Sequence, residues 1–149
     1  MPGFWHPNAS KPGAGQNDQA DTVKKCRQIL NNLEIKIVAL ENKIHYNFFS
    51  IEDVLKELQI LKDNKLLQTH AVLNATAELI TKVIKKIFHA TPSQAEQALN
   101  LISKAVEAMD SYVYRYYFDG KEDPFNLEKI QLLISDWLVV VSGNKSYSK

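Results

Sequence analysis

The side chains in this sequence able to carry proton transfer, nucleophilic attack or metal binding are four histidines, one cysteine and a scatter of carboxylates. His6, His45, His70 and His89 form no HExxH, and none stands at a zinc-ligand spacing from Cys26 or from another histidine. His70 falls on an apolar helical face, where a histidine is ordinarily a hydrogen-bonded core residue. His45 and His89 lie at two different inter-helix junctions, with no neighbouring carboxylate to build an acid–base pair. Glu57, Glu78, Glu96 and Glu107 show no paired geometry and read as solvated faces. The sequence contains no glycine-rich phosphate loop, Walker motif or GxSxG elbow. The expectation is a protein without catalytic residues, metal or cofactor.

Two other features concern binding. Lys82, Lys85 and Lys86 share one helical face at i, i+3, i+4. They are either solvated lysines offsetting a helix dipole, worth a few tenths to about 1 kcal/mol, or an electropositive rim that steers acidic ligands. No aromatic platform is interleaved with them, so an acidic peptide suits them better than a nucleic acid. The second feature is the junction His45-Tyr46-Asn47-Phe48-Phe49. Turns usually carry Gly, Pro, Asp or Ser, and aromatics in such a place either plug a core or await a partner.

The elements that must position these groups are helices. Val23, Cys26, Leu30, Leu33, Ile37, Leu40 and Ile44 alternate three and four apart, a heptad seam beginning after Asp21 as N-cap. Ile29, Ile35 and Val38 widen the stripe to a width that suits a bundle. Ser50 opens a second helix burying Val54, Leu55, Leu58 and Leu61, with a break at Asp63-Asn64. A third carries Leu66, Leu67, Ala71 and Leu73, and a fourth runs from about Thr76 to Phe88, the boundary marked only by Asn74 and Thr76. Thr91-Pro92-Ser93-Gln94 specifies the start of a fifth, which buries Ala95, Ala98, Leu99, Ile102, Ala105, Val106, Met109 and Val113. It ends in the aromatic run 112–118 and Asp119-Gly120. Asp123-Pro124 starts a final helix that stops before Gly143. With no strand alternation, the fold class is all-α: a compact bundle of about five helices with an additional apolar C-terminal helix. The domain reading is a disordered leader over 1–20, the bundle over 21–118, the last helix over 119–142 and a tail over 143–149.

That last helix is apolar on more than one side. Leu127, Ile130, Ile134, Trp137 and Val141 line one face and are the candidate dimerisation residues; Phe125, Leu132, Leu133, Val139 and Val140 point elsewhere. Such a helix must be covered twice, either by a second copy across a two-fold interface or by a deep groove of its own bundle.

Composition sets the outer bounds. A chain of 149 residues suits one domain, and 45% apolar with 23% charged residues is ordinary for a globular protein. A net charge of +1 gives no field drawing it to nucleic acid or to a membrane surface. Cys26 alone allows no intramolecular disulfide and fits a reducing compartment. No run approaches the ~20 apolar residues of a membrane span, and the N-terminus carries no signal-peptide pattern. The sequons at Asn8, Asn74 and Asn144 are then chance matches, and Phe4-Trp5 is a stray pair or a short linear motif. The expected setting is intracellular.

Residues 33–44 (LEIKIVALENKI), the junction after them and residues 51–61 (IEDVLKELQIL) resemble the integrase-binding domain of the lens epithelium-derived and hepatoma-derived growth factor family, an elongation-factor N-terminal-type helical module. The family pattern runs without a gap from about Leu33 to His89, somewhat over a third of the chain, with residues 81–87 (TKVIKKI) on its basic end. The resemblance implies two junctions side by side, forming a pocket that accepts aromatic side chains of short disordered motifs while a basic rim meets their acids. Ile44, Tyr46, Phe49, Ile87 and His89 would line that pocket, Lys82, Lys85 and Lys86 would form the rim, and Asn47 would hold the partner's backbone. The family has an acid at the Asn47 position, so a charge-assisted contact becomes a neutral one here. The implied role is a nuclear adaptor for Phe-containing acidic motifs of transcription factors, elongation factors and chromatin kinases, tethering them to chromatin, as a homodimer and without direct nucleic-acid contact. The competing reading is a structural homodimerisation module with no peptide site.

Overall fold

The structure, a computed structural model, describes the backbone of residues 14–41 and 48–147 and the side chains of 19–41 and 50–143. It is all-α: α1 spans Ala14–Glu41, α2 Phe48–Lys62, α3 Lys65–Thr69, α4 Ala71–Lys86, α5 Pro92–Tyr114 and α6 Phe125–Tyr147. Among the described residues there is no strand. The five long helices close a ring in the order α1, α2, α4, α6, α5 and back to α1, each packing chiefly on the two beside it, with a smaller contact between α4 and α5. α6 is therefore no addition to a finished bundle. It closes the ring between α4 and α5, and Leu127, Ile134, Trp137 and Val141 belong to the same core as Leu30, Leu58, Ile80 and Leu99, with Ile130 packed against it. The stripe expected to meet a second copy is covered inside its own chain.

The heptad seam on α1 is buried from Val23 to Leu40, and Ile29 packs half-buried against it. Ile35 is 60% exposed and Val38 is also exposed, contrary to the wider stripe expected. The neighbours α2 and α5 straddle the seam itself and leave those flanks uncovered. α1 also begins seven residues before Asp21, which is an interior helical residue paired with Lys25 at 3.1 Å. α2 begins at Phe48 rather than at Ser50.

Local signals set three boundaries. The Asn64 side chain accepts from the Leu66 N–H at 2.9 Å and caps α3, while its amide donates to the Thr22 carbonyl of α1. Thr91 and Gln94 form the full capping box at the start of α5. Asp123 accepts from the Phe125 N–H at 3.1 Å to open α6. A fourth boundary lies where no such signal exists. α3 and α4 part at His70, not at Asn74, because His70 takes an extended conformation (φ −115°, ψ 101°). Its Nδ1 lies 3.2 Å from the Tyr112 hydroxyl, and its ring meets Tyr116 edge-on at 4.4 Å. Below α5 the chain makes one π-helical turn, Arg115–Asp119, and leaves it through Gly120 at φ 66°, a left-handed position that favours glycine. α6 runs through Gly143, where a side chain would meet open space and nothing forces a stop.

Polar contacts tie the ring together. Arg27 on α1 makes a two-pronged pair with Asp110 on α5, at 2.9 and 3.1 Å. Lys36 donates to Glu57 at 2.8 Å and to Asp53 at 3.2 Å across α1–α2. Glu57 is thus buried and paired rather than a solvated acid. On α6, Gln131 donates to the Val72 carbonyl and the Thr76 hydroxyl of α4, and the Trp137 indole N–H donates to the Gln94 carbonyl of α5 at 2.9 Å.

Candidate functional site

The end of α4 is amphipathic in a way that separates support from surface. Val83, Ile84 and Ile87 turn into the core, which rotates Lys82 and Lys85 outward and leaves Lys86 half-buried. The helix tightens into one 3₁₀ turn over Ile87–His89, closed by the Ala90 N–H on the Ile87 carbonyl at 3.3 Å, and hands over to the Thr91 cap. The lysines sit where the C-terminal end of the α4 dipole is negative, so their charge also stabilises the helix they project from. They form no ion pair among the described residues.

Ile87 is only 2% exposed, so it anchors the turn from beneath and offers no surface to a ligand. His89 is exposed. Between them Phe88 is 50% exposed, an apolar side chain in the turn that follows the lysine-bearing end of α4. Sequence reasoning passed over Phe88, although its phase gives it away: Val83, Ile84 and Ile87 occupy the core stripe and position 88 falls off it. Ile44, Tyr46 and Asn47 lie outside the described residues, as does the side chain of Phe49. The site residues the structure places together are therefore those of the second junction: Lys82, Lys85, Lys86, Ile87 and His89, with Phe88 added.

Elsewhere the surface of the described residues is grooved. One groove of ≈ 630 Å³ lies between α1 and α5, lined by Arg27, Glu34, Glu107 and Asp110. Burial, and then the neighbouring Glu107, push the Glu34 carboxyl up from its ordinary value. The Asp110 hydrogen bond raises the Arg27 guanidinium further above its already high value, so it stays charged. The Arg27 guanidinium also stands 5.1 Å over the Tyr114 ring, which touches Phe118 in an exposed aromatic cluster. Another groove, of ≈ 410 Å³, runs between α5 and α6 past Leu101, Lys104, Leu133, Asp136 and Val140.

Cys26 is fully buried on the α1 seam, where desolvation and then Asp110 push its thiol up to about 12. Among the described residues no group of three His, Cys, Asp or Glu side chains converges as a metal site would require. Among the described residues, too, no helix is long and apolar enough to cross a membrane. Compared with protein-family models, curated proteins and solved structures, the chain matches none.

Proposed function

We propose that this chain is a protein-interaction module that binds short, disordered, acidic motifs carrying phenylalanine at the end of α4. The observation that carries the reading is the half-exposed Phe88 at the end of the helix that bears Lys82, Lys85 and Lys86, followed by the exposed His89. A ligand phenylalanine gains apolar contact with such a ring, while flanking acids meet the lysines and are steered to them. The resemblance of residues 33–89 to the integrase-binding domain supports the same end of the bundle and supplies the setting. In that setting the protein is a nuclear adaptor that tethers transcription and chromatin proteins, working as a homodimer. Affinity is modest, because a short motif must be ordered as it binds.

The test is a backbone amide NMR titration with a short peptide holding two phenylalanines among acidic residues. Shifts should concentrate at residues 44–51 and 84–91. Phe88→Ala or Lys85→Glu should weaken binding roughly tenfold, about 1.4 kcal/mol, with helicity unchanged. Ile87 is unsuited to this test, since a charge at a buried position unfolds rather than probes. Absence of shifts at millimolar peptide would reject the site. The second reading, a structural homodimerisation module, is favoured by a different observation: the outer face of α6 is apolar and uncovered.

A further inference from the structure

α6 carries two apolar faces, and the bundle covers one. On the other stand Phe125, Leu132, Leu133, Val139 and Val140, all exposed, with Leu132 at 69%. Together they present on the order of 500 Å² of apolar surface per copy, near the upper end of what a monomer's largest patch usually shows. The α5 side of the adjoining groove extends the face, toward the ~800 Å² per partner of which a standard interface is made. Two charges of opposite sign stand within this face, and Glu128 borders it on the side of Val139. Lys129 and Asp136 are exposed, lie seven residues apart along the same side, and form no ion pair among the described residues.

We infer that this face pairs with the same face of a second copy, as two antiparallel α6 helices about a two-fold axis between Leu132 and Leu133. An antiparallel pair centred there brings each Lys129 opposite Asp136 of the other copy, at equal distances on either side of the axis. It sets Phe125 against Val140 and leaves Leu132 and Leu133 astride the centre. The face is self-complementary in charge only in this orientation. A parallel in-register pair would put Lys129 on Lys129 and Asp136 on Asp136, and like charges so placed select against it. A helix seven residues per two turns long between the charges keeps both on one side, which is why a single register satisfies both pairs. Lys104 and Asp136 both line the adjoining groove between α5 and α6. The inference deepens the homodimer part of the proposed reading and rests on that part alone; the peptide site at the end of α4 is a separate surface.

The test is sedimentation equilibrium of the full chain and three variants. Wild type should dimerise in the micromolar range, and Leu132→Asp should be monomeric with unchanged helicity, since the position is exposed. Lys129→Asp and Asp136→Lys should each associate at least tenfold more weakly alone, because each makes two like-charge contacts. Mixed one to one they should pair with each other, since every contact is then opposite in sign. A monomeric wild type up to ~1 mM would overturn the inference and leave the face to an unlike partner. So would a dimer indifferent to Leu132→Asp, or a mixture no tighter than its components. Peptide shifts at residues 84–91 should persist in the Leu132→Asp monomer, so failure of the peptide site and failure of the pairing are read separately.

Discussion

The seating of α6 is tested by Ile134→Ala. Ile134 is fully buried between α4 and α5, whereas Leu132, two residues earlier, stands in solvent. Truncation removes three carbons, about 2.4 kcal/mol of transfer free energy at ~0.8 kcal/mol per group. The gap left behind adds a further cost, because flanking helices relax only in part, and the total for such changes is about 2–5 kcal/mol. For a chain of this size, each kcal/mol shifts Tm by roughly 3 °C, so a loss of about 6–15 °C is expected. Urea unfolding followed by circular dichroism reads the same quantity as a lower midpoint at unchanged slope. It should be run near 1 µM, where association of copies adds little to stability. Leu132→Ala under the same conditions should fall within ~0.5 kcal/mol of wild type. An Ile134→Ala variant that loses less than about 1 kcal/mol, or one no worse than Leu132→Ala, would refute the ring closed by α6.

Two further outcomes follow from the buried and crowded groups. With its thiol pushed up to about 12, Cys26 stays protonated at neutral pH and should resist a thiol-specific disulfide reagent in the native state. It should react fully once urea unfolds the chain, and stoichiometric native reaction within minutes would contradict its burial. The Glu34 carboxyl is raised in the folded state by burial and then by Glu107, so folding favours its protonated form. Its contribution is fully present below the unfolded value near 4.3 and is lost as pH rises through the raised folded value. Glu34→Gln should therefore raise stability at pH 7 and reduce the change seen between pH 4 and pH 7. Parallel stability–pH curves for variant and wild type would show that the crowding is absent.

Where a boundary is made by neighbours in sequence, it is legible. The capping box at Thr91 and Gln94 needs only four residues, and the core positions of α5 follow from its period. The break at His70 is different in kind: nothing in Thr69, His70 or Ala71 stops a helix, and its hydrogen-bond partner, Tyr112, is 42 residues away. The start of α1 was missed because residues 14–20 have no apolar period, and helix there extends an element already nucleated by the seam. Width of a stripe was misread at Ile35 and Val38, since period reports which side can be buried and not how many neighbours arrive to bury it. The lysines of the candidate site were visible as a cluster on one face. Phe88 became visible only once the core stripe of α4 was fixed, and the pairing of Lys129 with Asp136 only once the inner face of α6 was known.

The ring order also sets a timetable. Four of the five long helices precede α6 in the chain, and α4 and α5, which flank its seat, are complete by Tyr114. During synthesis the apolar trough between them stays open until residues 125–147 have been made. Gln131, which caps the Val72 carbonyl and the Thr76 hydroxyl, joins residues 55 to 59 positions apart, a closure that comes late. Without α6 in place the other four long helices would leave that apolar trough open, the kind of exposed surface that invites misassembly.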